Sequence, residues 1–193
     1  MKRIVTALAI IILSTNIAMA DYAGLGYLFG KGELTNWKYE HSLDYALRLS
    51  YGLKLIDRIY FEPSFIFIDY TPPTTIVDYA VWVPFFESGP EYLLNTAVNL
   101  RVIEGLYIFI GLQTGITTFT FKDQKPASKR GAFTIGYTFG TGYDFEILQR
   151  ILIRLSLEYS KTNSHYRVNE DWDRWYENYY LIGGLSAFLK FNE

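Results

Sequence analysis

From residue 42 to residue 54 the chain alternates without a break. Leu43, Tyr45, Leu47, Leu49, Tyr51 and Leu53 fall on one face; Asp44, Ala46, Arg48, Ser50, Gly52 and Lys54 fall on the other. Successive side chains of an extended strand point to opposite sides, so a period of two predicts a strand. The pattern recurs over residues 24–30, 59–70, 92–102, 106–120, 133–145, 151–159 and 179–191, which makes eight strands. Residues 105–121 form an uncharged run that could pass for a helix, but their Gly, Thr and Ile content and Gln113 favour a strand. Ile66 and Ile68 blur the contrast in the third segment.

The connections alternate too. Residues 56–58, 103–105 and 146–150 are short; residues 31–41, 71–91, 122–130 and 161–178 are longer. Three tight turns at one end and four longer loops at the other is the layout of an antiparallel up-and-down barrel that crosses a membrane. A tilted strand needs about 9–11 residues to span. Lipid offers no partner to an open sheet edge, so such a sheet must close. The expected fold is therefore all-β: an eight-stranded transmembrane barrel over residues 21–193. A soluble eight-stranded barrel is the competing reading; it would turn the apolar face inward, around a ligand. Tyrosines at strand ends (Tyr92, Tyr107, Tyr143, Tyr159, Tyr179) favour the membrane, where aromatics gather at the interfaces.

Residues 1–20 follow a different pattern. Lys2 and Arg3 precede an apolar run over residues 4–14, and Ala18-Met19-Ala20 has the small-x-small form of a cleavage site. The run is too short for a spanning helix, which takes roughly 20 residues. A cleaved signal peptide over residues 1–20 is expected. Those residues hold two of the 18 Lys+Arg, leaving 16 basic and 20 acidic side chains in the other 173 residues, a formal charge of −4. No basic patch suggests a nucleic-acid partner. Cysteine is absent, which excludes disulfides and thiolate metal sites. The 17 Tyr and 14 Phe are more aromatic surface than a soluble domain of this size commonly carries, and suit interfacial girdles.

An eight-stranded barrel has an interior just wide enough for side chains to fill. Asp44, Arg48, Glu62, Asn95, Asn99, Arg101, Gln113, Asp144, Arg154 and Glu158 are expected to point into it. Such a set of mixed charges implies a paired, plugged core. The alternative is a narrow conduction path.

Trp37, Trp82, Trp172 and Trp175 fall outside the expected spans, as do His41 and His165. Residues 74–86 are unusually apolar for a loop, and residues 163–178 are dense in charge and aromatics. Aromatic and charged side chains on rigidly based loops suit recognition of a protein, a glycan or lipopolysaccharide. Glu170, Asp171 and Asp173 lack the spacing and turn glycine of a calcium loop, so no metal and no cofactor is expected. Ser160 or Ser164 with His165 and Glu177 is the sole set of residue types suited to nucleophilic catalysis. Ser164 and His165 are adjacent, so in a strand they would diverge.

The mature chain resembles the small eight-stranded outer-membrane barrels grouped around outer-membrane proteins A, X and W. The likeness rests on the leader, the eight amphipathic strands, the alternating loop lengths and the last two strands, LIRLSLEYSKT and NYYLIGGLSAFLKF. Tyr180, Leu189 and Phe191 sit where the assembly signal of such barrels has its apolar residues; Ser186 replaces a usual glycine, and the chain ends in Asn192-Glu193. The resemblance implies a monomer in the bacterial outer membrane, in contact with lipid and lipopolysaccharide, with structural, adhesive, stress-related or solute-permeating roles. A second likeness is to the outer-membrane lipid A deacylases. Ser160 and Glu177 match that family's serine and glutamate, but Glu158 stands where its histidine belongs. The expectation is thus a non-enzymatic barrel acting in the envelope or through its outer loops.

Overall fold

A computed structural model describes residues 21–34, 39–70, 86–121, 128–169 and 172–191. They form eight strands: β1 (Tyr22–Leu34), β2 (Tyr39–Ile56), β3 (Ile59–Tyr70), β4 (Phe86–Arg101), β5 (Leu106–Phe121), β6 (Ser128–Leu148), β7 (Ile151–Asn169) and β8 (Trp172–Lys190). Each pairs antiparallel with its neighbours, and β8 returns to β1 to close a barrel in the order β1 to β8. The β1–β8 seam runs through thirteen consecutive pairs, from Tyr22↔Lys190 to Leu34↔Asn178, with no shift of register. Asp21 ties its lower end. Its N–H donates to the Gly52 carbonyl and its carbonyl accepts from the Phe191 N–H, each at 2.8 Å.

The faces are those of a membrane barrel. Ile110 and Leu112 are 66% and 67% exposed on the outside, while Arg48, Glu62, Arg154 and Glu158 are buried within. That polarity rules out the inverted, soluble arrangement, in which apolar side chains would fill the interior. Two hydroxyls of the outer wall are held in bonds, which suits a lipid surround. Thr118 and Thr141 donate to the carbonyls of Pro90 and Tyr107 at 3.1 and 2.8 Å. At the rim, Lys161 meets Glu177 at 3.2 Å and lies 4.9 Å from the centre of the Tyr179 ring.

Three expectations need correction. First, the strands run further than the apolar alternation. β1 continues to Leu34, β4 begins at Phe86, β6 at Ser128, and nearly all of residues 161–178 is paired strand rather than loop. Above the lipid both faces meet polar surroundings, so alternation ends while backbone pairing continues. Second, Leu43 lies inside. The pairing jumps from Leu43↔Tyr70 to Tyr45↔Asp69, leaving Asp44 as an extra residue that flips the parity of the strand. Third, Tyr107 is not at an interface: it is buried in the barrel beside Phe109, with ring centres 5.9 Å apart. Gly140 and Gly142 of β6 make room for those two rings; a Cβ on either would lie within 2.7 Å of a ring atom.

Candidate functional site

Alternation along β2, β3, β6 and β7 brings the ionic groups of the interior together in two layers. The lower one is centred on Glu62 of β3 and Arg154 of β7. Glu62 Oε2 accepts from Arg154 Nη1 at 2.5 Å, and from the Tyr22 hydroxyl and Asn99 Nδ2 at 2.7 Å. Arg154 also donates through Nε and Nη2 to the two oxygens of Asp144, at 2.7 and 3.1 Å. Its guanidinium carbon lies 4.3 Å from the centre of the Tyr107 ring and 4.6 Å from that of Phe188. A cation shared by two carboxylates and cushioned by aromatic faces fills the width of the lumen.

The upper layer is a forked pair. Arg48 Nη1 and Nη2 donate to Glu158 Oε1 and Oε2 at 2.5 and 2.6 Å, and the Ser156 hydroxyl adds a bond to Oε1 at 3.0 Å. Beyond it the interior divides. Leu28, Leu43, Ala46, Ile66, Ile68, Leu93, Tyr180 and Ile182, from β8 and β1 to β4, form one apolar cluster. Opposite, β5, β6 and β7 present hydroxyls. Thr117, Thr134 and Ser164 lie within 3.0 Å of one another. Glu91 joins the two sides, its Oε1 accepting from Thr117, Asn178 and Tyr180 at 3.0–3.1 Å.

Among the expected interior residues, Arg48, Glu62, Asn95, Asn99, Gln113, Asp144, Arg154 and Glu158 make side-chain hydrogen bonds within the barrel. Arg101 is at the lower mouth, 3.7 Å from Asp144. Asp44 lies at the β2 irregularity, and its side chain is outside the described atoms. Sequence reading missed Glu91 and the apolar cluster. Glu91 sat in an expected loop; parity counted back along β4 from Asn95 through Leu93 would have placed it inside.

The serine, histidine and glutamate do not assemble. The Ser160 hydroxyl is buried in the lumen and donates to Gln113 Oε1 at 2.7 Å. Ser164 is buried among the threonines, whereas Glu177 stands on the outer wall with Lys161 and Tyr179. His165 has the parity of Lys161 and so belongs to that same outer face. The wall separates nucleophile from base. Trp172 and Trp175 are strand residues of β8, with Trp175 opposite His165; Trp37, Trp82 and residues 74–85 lie outside the described residues.

No family model and no curated protein matches the sequence. Solved structures do match in fold. Neisserial surface protein A superposes with a TM-score of 0.53 at 13% identity, covering 88% of this chain and 96% of that one. Ail, the attachment invasion locus protein of Yersinia pestis, gives 0.54 at 12%, covering 88% and 99%. The chain has the fold of the small eight-stranded outer-membrane β-barrels. Its uncovered apolar belt is that of a barrel embedded in a membrane.

Proposed function

We propose that the protein is a plugged, non-enzymatic barrel that works through the strands it raises beyond its lipid belt, recognising a partner at the cell surface. The observation that carries this reading is the ion-paired lumen. Arg154–Glu62–Asp144 and Arg48–Glu158 occupy it in successive layers. A conducting path would have to break bonds between buried charges, each expensive to leave unpaired. Recognition then falls to the outer rim. β6, β7 and β8 have 21, 19 and 19 residues, about twice the length that spanning requires. Their upper parts form a paired platform, a more rigid base for recognition than free loops. The names of the two structural neighbours, a surface protein and an attachment protein, agree with this use.

Two measurements test the reading. Purified barrel in planar lipid bilayers is expected to give no unitary conductance; steady openings would overturn the plug. Cells displaying the protein are expected to bind immobilised glycans, lipopolysaccharide or host-cell surfaces. Replacing residues 166–175 by a two-residue turn should abolish that binding while the barrel still shifts on heating in gels. Binding unchanged by the excision would overturn recognition by the platform.

A further inference from the structure

The end of the barrel with the short turns opens into a cavity of about 1050 Å³. Ligand sites commonly span roughly 300–1,000 Å³. Tyr22, Tyr60 and Leu152 contribute apolar surface to it, and its wall carries charges of both signs. Some are already paired: Lys190 with Glu146 at 2.8 Å and Lys54 with Asp57 at 3.0 Å.

Three lining groups retain capacity. Arg101, with a side chain 38% exposed, has its nearest carboxylate, Asp144, at 3.7 Å. Both oxygens of Asp144 already accept from Arg154. Arg101 is held instead over the Tyr60 ring, 5.1 Å from its centre, which orients the guanidinium without using its N–H groups. Arg150, in the β6–β7 turn, and Glu104, in the β4–β5 turn, are exposed and have no ion-pair partner among the described residues. Two guanidiniums whose N–H groups make no hydrogen bond among the described residues match carboxylates in a planar, two-bond geometry. A free carboxylate in the same wall matches an ammonium. Glu104, Glu146 and Asp21 also line the cavity, and together they disfavour a compact polyanion such as phosphate.

We propose that this mouth binds a short peptide-like ligand that presents two carboxylates to Arg101 and Arg150 and an ammonium to Glu104, with its apolar part against Tyr22 and Tyr60. In an outer-membrane protein the mouth opens on the periplasm, where the cross-linking peptides of the cell wall carry that combination of groups. The site is independent of the outer platform.

The test titrates the full mature barrel in detergent micelles with the tripeptide L-alanyl-γ-D-glutamyl-meso-diaminopimelate, followed by calorimetry. One saturable site is expected, lost when the carboxylates of the tripeptide are amidated. Arg101→Gln and Arg150→Gln should each weaken it by about tenfold, the weight of one charge-assisted contact. Heat-dependent gel migration checks that each variant is folded. Arg101→Lys keeps the charge and loses the fork, so it should also weaken binding; it serves if the Gln variant fails to fold. Absence of a saturable site, indifference to all three substitutions, or equal displacement by inorganic phosphate would overturn the proposal.

Discussion

The two ends of the lumen are filled by different physics. Toward the short turns the barrel is packed with charge: Arg154 between Glu62 and Asp144, then Arg48 on Glu158. Toward the outer end, half of the wall is hydrocarbon, from Leu28 through Ile68 to Ile182, and the other half is hydroxyl, from Thr117 to Ser164. The ionic layers fix which side chain meets which, because each charge tolerates few partners. The apolar cluster fills space without such demands. A barrel wrapped in lipid gains little from apolar surface facing outward, so specificity falls to the inside.

Substitutions separate these contributions. The largest effect is expected from Arg48→Met, which leaves Glu158 buried and unpaired; losses of about 3–5 kcal/mol are typical and would be read from urea unfolding in detergent micelles. Arg48→Met with Glu158→Leu should recover most of that loss, since well-packed apolar replacements of buried ion pairs are often neutral. A double variant as unstable as the single one would show that the pair does more than cancel itself. Leu28→Ala, in the apolar cluster, is expected to cost about 2–4 kcal/mol through the cavity it opens. Gly105 has φ +79° and Tyr143 against the place of its missing Cβ; Gly105→Ala should cost about 1–2 kcal/mol. Ser164→Ala should cost about 1 kcal/mol, the net worth of a buried neutral hydrogen bond, and smaller still if Thr117 and Thr134 satisfy each other.

The ionic end was legible before the structure, and the apolar end was not. A charged residue at an alternate position of a lipid-facing strand has one place to go, so Arg48, Glu62, Arg154 and Glu158 declared themselves. Ile66 and Ile68 are apolar whether they face lipid or lumen, and a sequence pattern cannot tell these apart. One extra residue near Asp44 sufficed to move Leu43 across the wall. Strand ends were hidden for a related reason: pairing between backbones leaves no trace once both faces are polar, and the pairing of residues 161–169 with 172–179 is the clearest case. Of the catalytic candidates, Ser164, His165 and Glu177 fall in a segment whose sequence reads as loop; once that segment is strand, adjacent residues part to opposite faces.

The uninterrupted seam between β1 and β8 has a consequence for how such a chain is made. Its thirteen pairs join the first strand to the last, so β1 keeps one raw edge until the final nineteen-residue strand exists. An unpaired edge is a template for any other strand nearby, and contacts between chain ends are the slowest to form. A chain cut short before β8 would therefore be no smaller barrel. It would carry two open edges, on β1 and β7, and would be expected to pair with its own kind. Safe passage to the membrane then depends on holding the whole polypeptide apart until its last strand can meet its first.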